Sequence, residues 1–154
     1  MNKVQILLIF LSILLPKNLH GQFEEPKASP ELMKLIREQK FDVILPSVMR
    51  DNEIDMWIHV KRKPDFFDFE FGDKPGVYIF TDRGGNRIER AVLGGQVDRD
   101  LYDILAPESS LGKFVSERNP KHIALNYTER SSSFNTISLN DYKKILKTLG
   151  KKYS

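Results

Sequence analysis

Apolar and polar residues alternate most clearly from Ile54 to Lys61. Ile54, Met56, Ile58 and Val60 point one way and Asp55, Trp57, His59 and Lys61 the other, the period-two pattern of a strand. Val77–Thr81 and Arg87–Leu93 read as two further strands. The five residues between them, Asp82-Arg83-Gly84-Gly85-Asn86, contain glycine and predict a hairpin, which Gly94-Gly95 closes. His122–Tyr127 is another strand, with Ile123, Leu125 and Tyr127 on one face.

Helical spacing fills the rest. Ser29, Pro30 and Glu31 follow the order of an N-cap, a first position and an acidic first turn. Leu32, Leu35 and Ile36 then mark one apolar face, and helical character continues through Val43, Ile44, Val48 and Met49 to Asn52. Pro46 lacks an N–H, so it either kinks this helix or starts a second one. Leu101–Leu105 reads as a short helical turn stopped near Pro107, and Ser110 as the cap of a helix through Lys113, Phe114 and Val115 that ends before Pro120. Ser138-Leu139-Asn140-Asp141 is a capping box; Leu139, Tyr142, Ile145, Leu146 and Leu149 form the stripe behind it, and Gly150 is the stop. Strands alternating with helices predict an α/β fold: a single domain with a mixed β-sheet and flanking helices.

The N-terminus is different in kind. Lys3 is followed by a ten-residue run, Ile6–Leu15, apolar except for Ser12, and then Pro16. That run is too short to span a bilayer but matches the apolar region of an export signal. Cleavage after Gly21 is expected, with residues 22–30 as a tether and 31–154 as the domain. Removing the leader takes Lys3 and Lys17, leaving 22 basic against 21 acidic residues, so the formal +3 overstates the charge of the working protein. A net charge of +1 gives no argument for nucleic acid, nor for a membrane once the signal is gone. The absence of cysteine leaves packing alone to hold the domain and fits bacterial export, periplasmic or extracellular.

Candidate chemistry is sparse. After cleavage the remaining histidines are His59 and His122, each alone on its strand, without metal-ligand spacing. No thiol nucleophile, nucleophile elbow or phosphate loop is present. Asn126-Tyr127-Thr128 has the form of a glycosylation site but falls in a strand. Trp57 and His59 share a face with Asp55, where core packing competes with a partner contact. In Lys63–Gly76, Phe66, Phe67, Phe69 and Phe71 are interleaved with acids. They form either a connection folded onto its own sheet or an aromatic surface for another domain or subunit.

Three blocks, ILPSVMRDNEIDMWIHVKR (Ile44–Arg62), YIFTDRGGNRIERAVLGG (Tyr78–Gly95) and KFVSERNPKHIALN (Lys113–Asn126), carry a resemblance in order and spacing. The chain resembles the N-terminal domain of exported bacterial metallopeptidases of the creatinase, prolidase and Xaa-Pro aminopeptidase group. The resemblance implies a mixed sheet that supports dimerisation and shapes the substrate groove, with Trp57, His59 and Arg62 nearest the groove. It also implies that the two divalent ions (Mn, Co or Zn) belong to a C-terminal catalytic domain lying outside this sequence, interrupted or separately encoded. This chain would then hold no metal and no catalytic residue, and its partners would be that domain and a second copy. Glu53 departs from the glycine usual in the group, and 134–138 from an Ala-Asp-Gly-Leu-Ser-like segment. The alternative is a free-standing exported interaction module that kept the fold without the enzyme.

Overall fold

Strand β1 (Met56–Lys61) has apolar residues on alternate positions, yet its other side is largely buried as well. Layers on both sides of the sheet account for that. The computed structural model, which describes residues 29–62, 71, 74–97, 99–127 and 137–153, shows them. The other strands are β2 (Gly76–Thr81), β3 (Glu89–Leu93), β4 (Ile104–Ala106) and β5 (Ile123–Leu125). Their order across the sheet is β4-β3-β2-β1-β5. The pairs β1–β2 and β2–β3 are antiparallel, while β3–β4 and β1–β5 are parallel. The domain is thus α/β with a mixed sheet and flanking helices.

On one face, Met56, Ile58, Val60, Val77 and Ile79 pack against Leu111, Phe114 and Val115 of α3 (Leu111–Arg118) and Ile145 of α4 (Leu139–Leu149). On the other, Tyr78, Phe80 and Val92 meet Phe41, Leu45 and Met49 of an N-terminal helical rod. The rod comprises α1 (Pro30–Gln39), a wide turn at Lys40–Ile44 and α2 (Leu45–Asp51). In the wide turn the Leu45 N–H reaches Lys40 O, five residues back. This resolves the choice at Pro46: its ring would meet the carbonyl four residues earlier, and the loosened turn accommodates it at the start of α2.

The local signals at helix ends work as read in two cases. Ser29 accepts from Leu32 N–H at the start of α1, and Ser138 Oγ accepts from Asp141 N–H while bonding the Asp141 carboxylate. Ser110 does not cap α3; its hydroxyl donates to Pro107 O, and a tight turn at Glu108–Ser110 leads into the helix. The expected helical turn at Leu101–Leu105 is also corrected. Leu101 and Tyr102 are buried, while Ile104–Ala106 pair with Ala91–Leu93 as β4. The Asp103 N–H bonds Arg90 O and its carboxylate takes the Arg90 N–H, so long-range pairing overrides local preference.

α2 ends in a Schellman motif: Glu53 N–H bonds Arg50 O and Ile54 N–H bonds Met49 O. Glu53 must then take φ 56°, the left-handed region. Glu53→Gly is expected to stabilise the domain by about 0.5–1 kcal/mol, because relief of this strain outweighs the entropy of glycine. An unchanged or lower urea midpoint would contradict it.

Candidate interaction surfaces

Beside the helical rod, β1 directs Trp57 and His59 into an aromatic shelf. Trp57 is half-buried, stacked on Phe80 at 5.3 Å and edge-on to Phe71 at 5.4 Å. His59 is buried, its ring 4.5 Å from that of Phe71. Phe71 O accepts from the hydroxyl of Tyr102, whose pKa is pushed up chiefly by burial and then by Tyr78. Phe71 therefore folds back onto its own sheet. Phe66, Phe67 and Phe69 lie outside the described residues.

Arg62 leaves this shelf. Strand alternation sends it toward the α3–α4 layer, where it donates to Glu108 through both terminal nitrogens at 2.8 and 2.7 Å, with Asp141 3.9 Å from Nε. The bidentate bond to Arg62 holds the Glu108 carboxyl below its ordinary range. The structure thus joins Trp57 and His59 and separates Arg62 from them.

Other polar residues act as struts that sequence reasoning passed over. Arg50 donates to both Asp82 oxygens, at 2.7 and 3.1 Å, and to Gly85 O, pinning the hairpin tip to α2. That bond, more than any other contact, lowers the Asp82 pKa. Asp55 accepts from the Lys121 and His122 N–H groups and positions the entry to β5. The Asn126 side chain exchanges two hydrogen bonds with the Val60 backbone and extends β5's pairing, so a glycan there would break the ladder. None of these partners is adjacent in sequence, and no local pattern marks them.

Two apolar surfaces stand out among the described residues. Along the rod, Leu32, Leu35, Ile36, Val43, Ile44 and Val48 are exposed, Val43 by 70% and Leu35 by 49%. The apolar face expected on this helix therefore points outward. Phe41, Leu45 and Met49 set the rotation of the rod, and α1 is tied down instead by Lys34, 2.7 Å from Asp100. The stripe is about 25 Å long at ordinary helical rise. The second surface is a cleft of about 280 Å³ between β5 and α4. Its wall includes Tyr127 and Tyr142, stacked with centroids 4.0 Å apart.

Among the described residues, no group of three or more His, Cys, Asp or Glu side chains could hold a metal ion, and no helix is long and apolar enough to cross a membrane. Compared with family models, curated proteins and solved structures, the chain returns no match.

Proposed function

We propose that this chain is an exported, non-catalytic domain of the Xaa-Pro aminopeptidase-like type. It contributes subunit contacts and substrate-groove shape to a separately supplied catalytic domain that carries the two divalent ions. The observation that carries the reading is the aliphatic stripe from Leu32 to Val48, an apolar helix face turned to solvent. Such faces mark contact surfaces. The mixed sheet with flanking helices agrees with the resemblance, and Arg50, Arg62, Arg90 and Arg118 each hold a carboxylate as a structural tie.

Residues 22–154, incubated with an Xaa-Pro tripeptide and added Mn, Co or Zn, are expected to show no turnover. Turnover by the purified chain would sink the proposal. In sedimentation the same chain should exceed its monomer mass at high concentration and return to it when Leu35 and Ile44 are both changed to lysine. A monomer at every concentration removes the subunit-contact role. The second reading, a free-standing interaction module, draws on the two cores, one on each face of the sheet, which give the domain an interior of its own.

A further inference from the structure

From Leu139 to Tyr153 the chain carries five lysines and a single acid, Asp141, whereas the mature chain as a whole nets +1. Asp141 does not offset them at the surface, because it accepts from Ser138 Oγ and lies 3.9 Å from Arg62 Nε. Charge along α4 is therefore of one sign.

Helical rotation places that charge. Leu146 lines the β5–α4 cleft, and Ile145, one residue earlier, turns into the core. Lys147, one residue later, is turned about 100° the opposite way, to the solvent rim of the cleft. Lys143 stands in the same relation to Tyr142, and both lysines are exposed. Neither pairs with a carboxylate among the described residues. At the foot of the cleft the Tyr153 hydroxyl donates to Pro120 O at 2.9 Å, and Lys152 Nζ reaches the same carbonyl at 3.2 Å, which sets a third ammonium there. At its head Tyr127 and Tyr142 are stacked within 8° of parallel, and neither hydroxyl has a partner among the described residues.

An apolar cleft with a rim of lysines and open phenols selects its occupant. The β5 backbone is not the recognising group, since the Tyr127 N–H already bonds Leu125 O. Side chains must do the work. A space of about 280 Å³ admits one large side chain, and pockets at protein contacts are filled chiefly by aromatic or arginine anchors. The lysines repel arginine, which leaves an aromatic ring, and the ammonium and phenol donors call for carboxylates on either side of it. The lysines run over more than two turns of helix, longer than one small anion and suited to acids spaced along a peptide. A flat bilayer or a phosphate backbone would meet the lysines and leave the concave apolar wall unfilled.

We infer that the β5–α4 cleft docks an acidic segment of a partner protein, one aromatic side chain seated between Leu125 and Leu146 and its flanking carboxylates on Lys143 and Lys147. The inference rests on charge and shape at this cleft and is independent of the metallopeptidase reading.

The test follows a fluorescein-labelled peptide, Gly-Glu-Glu-Phe-Glu-Glu-Gly, by polarisation with the full chain. It should bind, and changing Lys143 and Lys147 together to glutamate should weaken it at least about tenfold. Both lysines are exposed, so this variant reads the site without touching the core. Arg99→Glu, exposed beside β4 at the opposite edge of the sheet, should change binding by less than about twofold. Leu146→Glu, in the cleft wall, should abolish it. Equal binding of a peptide with glycine in place of phenylalanine, or binding indifferent to Leu146→Glu, would reduce the site to bare charge and overturn the anchor. Binding to phosphatidylglycerol vesicles with the same lysine dependence, and none to the peptide, would make this a lipid contact and overturn the protein partner. Binding to neither overturns the site.

Discussion

Phe80→Ala is expected to lower the unfolding free energy by about 3–5 kcal/mol, the largest effect of any single truncation in the domain. Phe80 is fully buried at the centre of the second core, with Phe41 at 5.1 Å, Trp57 at 5.3 Å and Phe71 at 5.8 Å. These neighbours come from the rod, β1 and the segment before β2, and none can move in without leaving its own contacts. The cavity would persist, so its cost adds to the lost transfer energy. The midpoint of thermal unfolding should fall by more than about 10 °C. A loss under about 1 kcal/mol in urea would mean that the rod is not seated on Phe80 as described.

Asp42→Ala and Arg90→Met should act in opposite directions. The Arg90 side chain is 2% exposed and bonded to Asp42, its Nε has no acceptor, and its guanidinium lies 5.0 Å from the Phe41 ring centroid. Burial lowers its pKa, Arg87 adds repulsion, and Asp42 and Asp103 oppose both. Removing Asp42 strands a buried cation. A loss of about 2 kcal/mol is expected, below the ~3–5 kcal/mol of a fully buried pair because Asp42 is half exposed and Asp103 stays near. Replacing Arg90 itself with methionine removes the desolvation cost together with the charge and should be neutral or stabilising by about 1 kcal/mol. Urea unfolding of the two variants decides it: equal losses would show that the pair stabilises the fold, which this geometry contradicts.

Much of the architecture was legible because its signals are local. Ser29-Pro30, the Ser138 capping box, the alternation from Met56 to Val60 and the glycine link at the hairpin tip each act within a few residues. The errors arose where distant partners decide. Ile104–Ala106 became a strand because β3 offered an edge; the shared apolar face of Leu32, Leu35 and Ile36 is present as read, and Phe41 and Met49 set the rotation of the rod that turns it outward. The resemblance grouped Trp57, His59 and Arg62 as the side chains nearest a groove. Alternation then parted Arg62 from the other two, and its partner Glu108 lies 46 residues away. The cleft could not be foreseen at all, since it depends on β5 being last in the sheet.

The wide turn at Lys40–Ile44 has a consequence for how this chain tolerates change in length. One extra residue is held there, and it offsets the two halves of the rod by about a quarter turn. Deleting any residue of that turn would restore a regular helix and swing one half round. Either Leu45 and Met49 would leave the core, or Leu32, Leu35 and Ile36 would sweep off the solvent side. The turn is the gear tooth that keeps an inner and an outer surface in mesh on one short rod, so a lost codon here would be felt on both surfaces at once.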